Sequence, residues 1–576
     1  MNLFELYLEE LKKIIIELFP DVCLKENNFL NKIVLEPPKN KNFGDMSTNA
    51  AMILSSTLKM KSMEIAEIIV EKFKLHEDVL EASFVNPGFI NIKFKINVWH
   101  NLLFNLLSNK KGWIFKDIGQ NKKINLEFVS ANPTGPLHVG HVRGAVFGDT
   151  LASILTSVGY KVTREYYIND AGNQIEKLVQ SSFLRYCEVL KGKKVIIPPG
   201  LYPGEYLKKI GSSLKKIYKD DLFELNFDQY FPKIKDKVLK FMMNDIKKDL
   251  ESLGICLDIY SSEQKIIDSG RLQEVLNILK EKKLIYTGVL EQPKGKQDDD
   301  WEPRPQLLFK SKIFGDDSDR ALKKSDNSWT YFATDIAYHF DKIKRTKGDL
   351  INVLGADHGG YTSRLTSAVK AISNDKYKLT NKICSIVHLI DSGKTIKMSK
   401  RSGNFVTLSE IIDKVGKDVT RFMMLTRRND QTIEFDFQKV QHQSKDNPVF
   451  YVHYAYARCK SIIRMSNIEE EKINVQNIYL LKNDEDINLI KLISQWPRVL
   501  ESSAKYMEPH RICFYLIELA SEFHSLWNKG KMDDDYKFIN NNDIEFTHSK
   551  LALIKSISVT IKSAFKILSI EPMESM

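Results

Sequence analysis

No two cysteines stand close enough to form a C-x-x-C pair. The six are Cys23, Cys187, Cys256, Cys384, Cys459 and Cys513, scattered over 576 residues. That scatter argues against structural zinc and against a disulfide scaffold, and it fits reduced thiols. No apolar run approaches the roughly 20 residues of a membrane span. The opening MNLFELYLEELKKIIIELFP mixes acids and bases with apolar residues at helical spacing. A secretory signal would need a basic start and an unbroken apolar core. A cytoplasmic protein with no membrane attachment is expected. The H-E-x-x-H zinc signature, internal repeats and long low-complexity tracts are also missing.

What is present suits a large soluble globular protein. A chain of 576 residues is too long for one core, so several domains are expected. Hydrophobic residues make up 43% and charged residues 28%, the balance of an ordinary globular protein. Lys and Arg number 85 against 74 Asp and Glu. The excess of +11 is compatible with a polyanionic partner such as RNA, and equally with a general Lys bias.

Along the chain, residues 1–115 read as a small α/β module. In it, ASFVNPGFINIKF (82–94) alternates around Asn86-Pro87-Gly88 as a strand hairpin. Residues 116–404 open with strand, Gly/Pro turn, long helix and strand, a βαβ unit. A Lys-rich helical insertion at about 176–250 follows, then strand candidates at 350–357 and 383–390. From 405 to 576 nearly everything is expected to be helical. Ile512, Tyr515, Leu516, Leu519, Phe523 and Leu526 fall on one helix face.

The stretch NLEFVSANPTGPLHVGHVRGAVFGDTLASIL (125–155) carries the chemistry. Pro133, Gly135 and Pro136 stop the strand. The helix beyond buries Val142, Ala145, Val146, Ile154, Leu155 and Val158, and Gly144 and Gly148 would let it lie close to a sheet. His138 and His141 then fall at the helix start, where unpaired N–H groups and the dipole favour an anion. Gly140 would let a flat base approach the backbone. Three uses are open for the pair: metal ligands, a catalytic base, or donors to phosphate. Zinc lacks a third ligand here, so no metal site is assigned. Some 260 residues on, DSGKTIKMSKRSGNFVTL puts Lys397 and Lys400 on a Gly/Ser-rich loop, where ammonium groups could neutralise a leaving pyrophosphate.

Together these segments resemble the paired signatures of class I aminoacyl-tRNA synthetases, H-[I/V]-G-H and K-M-S-K-S. Here they stand as His138-Val139-Gly140-His141 and Lys397-Met398-Ser399-Lys400-Arg401, with Arg401 in place of the usual final Ser. EFVSANPTGPLHVGHVRGAVFGD, SDNSWTYFATDIAYH, VLGADHGGY and YVHYAYARCKSI narrow the resemblance to the bacterial-type arginyl-tRNA synthetase family, from about residue 30 onward. The resemblance implies a multidomain α/β plus α protein. Its parts would be a class I Rossmann-like catalytic core with a parallel sheet, an α/β N-terminal module for the tRNA elbow, and an all-helical C-terminal anticodon-binding domain.

It also implies roles. ATP would be held by His138, Gly140, His141, Gly355, Asp357, His358, Lys397, Met398, Ser399 and Lys400. Of these, His138, His141, Lys397 and Lys400 would be catalytic. Arginine would be read by Glu263, Tyr331 and Asp335 at its guanidinium, and by Glu127 and Asn132 at its α-carbon end. A guanidinium is planar, permanently charged and rich in donors, so carboxylates suit it. The tRNA would meet Phe89 and Asn91 in the first module, and Tyr454, Arg458, Trp527 and Met576 in the last. The expected partners are tRNA(Arg), ATP and L-arginine. Mg²⁺ would arrive with ATP, no structural metal is expected, and the protein would be a monomer.

Overall fold

A computed structural model describes residues 2–20, 27–290, 304–324, 326–391, 393–396, 406–441 and 447–576. The second signature, Lys397, Met398, Ser399, Lys400 and Arg401, lies outside the described residues. The chain forms two compact units. One is Met1–Asp117 with Pro448–Met576, and the other is Ile118–Asn447.

The unit Ile118–Asn447 is built on a parallel five-stranded sheet. The elements that position the site, in chain order, are β1 (Lys123–Glu127), α1 (Val139–Ser157), β2 (Lys161–Ile168), α2 (Asn173–Lys191), β3 (Ile259–Ser262), α3 (Glu263–Asp268), α4 (Tyr331–Thr346), β4 (Asp349–Gly355) and β5 (Leu379–Cys384). The strand order is β5-β4-β1-β2-β3, with every neighbour pair parallel. The chain leaves β1 in one direction and later resumes on its other side. The crevice between the C-terminal ends of β1 and β4 is therefore the switch point where such sheets take ligands.

The helix α1 is buried on more than the one face that apolar spacing suggested. Arg143 and Asp149 are buried along with the apolar residues. Asp149 pairs with the buried Arg421 at 2.6 Å. The two glycines differ: a Cβ on Gly148 would lie 2.3 Å from the Phe128 ring, whereas one on Gly144 meets only ordinary contact at 3.9 Å. Gly148 is what allows the close approach. The chain turns after α1 at Gly159, with φ +92°.

The strand expected at 383–390 is two strands in two sheets. β5 ends at Cys384, and β6 (Val387–Asp391) joins a second sheet with β7 (Lys394–Thr395) and β8 (Ile433–Asp436). The break is held by Arg143, which donates to the carbonyls of Ser385 at 3.0 Å, Arg428 at 2.7 Å and Gln431. Ser385 N–H also leaves the first sheet for the Asn429 carbonyl, at 2.8 Å. An apolar run reads the same whether one strand or two, so this division had no local signal. It also corrects the boundary at 405, because β8 pairs in parallel with β6 and residues up to Asn447 belong to this unit. The insertion is helical: α2, Leu207–Tyr218 and Phe227–Ser252 share their own apolar core.

In the other unit, Val79–Val85 and Phe89–Phe94 form the expected hairpin within a four-stranded antiparallel sheet. The face running from Ile512 to Leu526 is buried in a helical bundle. The first and last segments of the chain, expected as separate domains, pack as one unit. Lys491 pairs with Asp45 at 2.6 Å, and Trp113 Nε1 donates to Thr560 Oγ1 at 3.0 Å.

Candidate active site

The turn out of β1 is strained. Val129 and Ser130 have φ of +69° and +38°, in a region that side chains avoid. The turn is held in place by Ser130 Oγ, which donates to Glu127 Oε1 at 2.9 Å and accepts from Tyr167 N–H at 3.0 Å. It delivers the chain to the start of α1, where His138 is the N-cap.

Both imidazoles cap the helix. Gly140 N–H donates to His138 Nδ1 at 3.1 Å, and His138 N–H donates to His141 Nδ1 at 3.3 Å. The rings stack with centroids 4.0 Å apart. A neutral imidazole that accepts at Nδ1 carries its proton on Nε2, so the hydrogen bonds define the tautomer. Each ring is thus a fixed Nε2–H donor beside the positive end of a helix. A Cβ on Gly140 would lie 3.0–3.1 Å from the His138 ring, so the glycine also protects the cap.

A cavity of about 840 Å³ opens at the switch point. Asn132, His138, Gly140 and His141 line it from the β1 side, and Gly355, Asp357 and His358 from the end of β4. Asn132 Nδ2 donates to Gln174 Oε1 of α2 at 2.9 Å. The structure therefore gathers these candidate residues around one space.

Glu127 stands at the end of β1, buried. Lys342, fully buried on α4, donates to Glu127 Oε2 at 2.7 Å and to Asn352 Oδ1 at 2.9 Å. Asn352 Nδ2 lies 2.9 Å from His339 Nε2, and His339 Nδ1 lies 2.8 Å from the Asp335 carbonyl. Burial lowers His339 to about 4, so it is neutral, with its proton on Nδ1. Every charge in this chain of contacts has a partner.

Glu263 and Asp335 are not on the cavity wall; they form an acidic cluster in which Glu263 is buried and Asp335 partly buried. Burial, then the nearby Asp335 and Asp170, push Glu263 up to about 7. A contact from the Tyr167 hydroxyl, outside hydrogen-bond geometry, offsets part of that. Burial pushes Asp335 to about 7 as well; the hydrogen bond from Tyr361 and the charge of Lys342 oppose it, and Glu127 adds to it. Tyr331 does not join them. Its side chain is 73% exposed on the first turn of α4, with Lys324 over its ring at 5.6 Å, so the i,i+4 spacing to Asp335 did not bring the two together. Lys342, Tyr361, Tyr167, Asp170, Gln174 and Arg143 were not singled out in the sequence, because their roles come from contacts across the sheet.

In the other unit, the Arg458 guanidinium lies 4.3 Å from the Tyr454 ring and 4.7 Å from the Trp527 ring, and donates to Tyr454 Oη. These three form one cluster. Trp527 also stacks on Phe538. Met576 is half-exposed, and Phe89 is 40% exposed. Asn91 corrects the expectation of an RNA contact, because it is 4% exposed on an inner strand paired on both sides. Among the described residues, no group of three or more His, Cys, Asp or Glu side chains could hold a metal ion. Nor is any described helix long and apolar enough to cross a membrane.

Residues 102–443 match the family model for the catalytic domain of class I (R) tRNA synthetases. Residues 5–94 match the arginyl-tRNA synthetase N-terminal domain, and 452–576 the DALR anticodon-binding domain. The chain belongs to the arginyl-tRNA synthetase family. It is 48% identical to an arginine–tRNA ligase of Wolbachia pipientis, covering 94% of both chains. It is 49% identical to one from Ehrlichia chaffeensis, covering 95% of both. The arginyl-tRNA synthetase of Thermus thermophilus shares the fold, with a TM-score of 0.68 over 94% of this chain and 96% of that one at 19% identity. The family's activity is the ATP-dependent joining of arginine to tRNA(Arg), and the chain is a ligase of this class.

Proposed function

We infer that the cavity between β1 and β4 binds ATP against the start of α1, and that arginine lies between Glu127 and the acidic cluster. In the first step an arginine carboxylate oxygen attacks the α-phosphorus of ATP, and pyrophosphate leaves. The nucleophile is already ionised, so no general base is needed. Charge develops on the α-phosphoryl oxygens, and fixed donors there stabilise the transition state more than the ground state. His138 and His141 are those donors, acting through Nε2–H. Lys397 and Lys400 take the role of neutralising the leaving pyrophosphate, a reading supported by the signature they belong to. Gly355, Asp357 and His358 contact the nucleotide from β4. Asn132 and Glu127 hold the α-carbon end of arginine, while Glu263 and Asp335 hold its guanidinium. A neutral competitor leaves these buried carboxylates unpaired, which supports selectivity without a separate editing site.

Mg²⁺ enters with ATP, bound by its phosphates. In the second step the arginyl group passes to the terminal adenosine of tRNA(Arg). Tyr454, Arg458 and Trp527 present stacking faces and a cation suited to an unstacked base and its phosphate. Phe89 is the contact for the tRNA elbow. The family likeness is what supports a monomer working in the cytoplasm.

The observation that carries this reading is the pair of Nδ1 caps, which aims two Nε2–H donors from a helix start that lines the cavity. The test is pyrophosphate exchange with tRNA present. His141→Ala should lower the rate by about 10²–10³. An unchanged rate refutes the role.

A further inference from the structure

Two buried polar atoms in the acidic cluster, Tyr167 Oη and Glu263 Oε2, make no hydrogen bond of good geometry with the protein, although the two groups lie close to each other. Both side chains are held firmly from behind. The Tyr167 ring stacks on Tyr338 with centroids 4.2 Å apart. Its strand neighbour across β3 is Ser261, which brings Glu263, two residues on, to the same end of the sheet. Asp170 brackets Glu263 on both sides, accepting from Ser262 Oγ at 2.6 Å and from Gln264 N–H at 2.9 Å. The two unpartnered atoms are therefore built into rigid surroundings.

The charge balance is equally one-sided. Burial, with the carboxyl groups of Glu263, Asp335, Glu127 and Asp170 around it, pushes the Tyr167 phenol far up, so it keeps its proton. Glu127 already has Lys342. Among the described residues no cation pairs with Glu263. A phenol in this position can give its proton to a carboxylate and accept an N–H on the same oxygen. A group that supplies N–H donors and a positive charge would fill the phenol oxygen and leave its proton to Glu263 Oε2.

We propose that Tyr167 is a specificity-determining residue for the arginine side chain: its oxygen accepts a guanidinium N–H while its own proton goes to Glu263 Oε2. This inference rests on the reading of the acidic cluster as the guanidinium site. A planar fork of five donors can serve Tyr167, Glu263 and Asp335 together. A ureido group of the same shape would set a carbonyl oxygen against these acceptors and bring no charge.

The test is tRNA charging by Tyr167→Phe and, separately, Glu263→Gln, with KM measured for arginine and for ATP. Tyr167→Phe should raise the arginine KM ten-fold or more, keep the ATP KM within two-fold and keep kcat within three-fold. Its melting midpoint should be unchanged or higher, because the hydroxyl it removes makes no hydrogen bond of good geometry in the protein; a purely structural tyrosine would instead melt lower. The proposal is overturned if the arginine KM stays within two-fold while Glu263→Gln raises it ten-fold, an outcome that leaves the guanidinium site standing. It is also overturned if arginine and ATP KM rise together. If neither variant changes the arginine KM, the assignment of the cluster fails, and the role of Tyr167 with it.

Discussion

At the start of α1 each imidazole already has work to do, accepting a backbone N–H at Nδ1. In the acidic cluster beside β2 and α3, a carboxylate oxygen and a phenol have no partner. The phosphate side of the site is thus self-supporting, with donors fixed before substrate arrives. The amino-acid side carries an unmet need for donors and positive charge. Preorganised donors serve the transition state, whereas an unmet buried charge serves selectivity, because only a cation with N–H groups removes the penalty. The same contrast divides the carboxylates: Glu127 has its lysine, and Glu263 has none.

The contrast can be broken by stability first. Lys342→Met strips Glu127 of its buried partner and should cost about 3–5 kcal/mol, read as a lowered melting midpoint. Glu263→Gln should cost no stability, since no protein cation is lost. Equal losses would erase the distinction between the two acids. Next in size, Asp335→Asn should raise the arginine KM about 100-fold, on the order of 3 kcal/mol for a charged hydrogen bond, and leave the ATP KM within two-fold. A parallel loss of ATP affinity would place Asp335 in the general scaffold. The smallest effect separates capping from catalysis at His138. His138→Ala should lose about 1 kcal/mol of stability, and His138→Asn should restore it, since Asn caps well. Both should remain slow in pyrophosphate exchange, because neither supplies the Nε2–H donor.

The parts of this site that could be read from the sequence are those carried by local pattern. The Gly/Pro turn and the apolar face beyond it located α1 and put His138 and His141 at its start. The alternating hairpin around Asn86-Pro87-Gly88 formed as expected. Long-range relations were out of reach. The switch of the chain between sheets at Ser385 depends on Arg143, 242 residues away. Spacing placed Tyr331 and Asp335 on one helix, yet Asp335 is partly buried while Tyr331 lies on the exposed first turn. Asn91, which the resemblance offered as a tRNA contact, is buried because its strand is paired on both sides. Tyr167 and Lys342 become functional candidates only once the buried carboxylates around them are known.

Arginine supplies what the acidic cluster lacks, and its KM should therefore depend on pH. Glu263 and Asp335 are both pushed up to about 7, mainly by burial. Below that pH the cluster holds a proton that the guanidinium must displace; above it the carboxylates are ionised and ready. The raised values also mean that the unliganded protein is favoured at low pH and loses that advantage as pH rises through about 7. The expected result is an arginine KM that falls by up to about ten-fold per unit as pH rises from 6 to 7 and levels off by 8, with the ATP KM changing less than three-fold. An arginine KM that is flat across this range, or that moves in step with the ATP KM, would contradict the account.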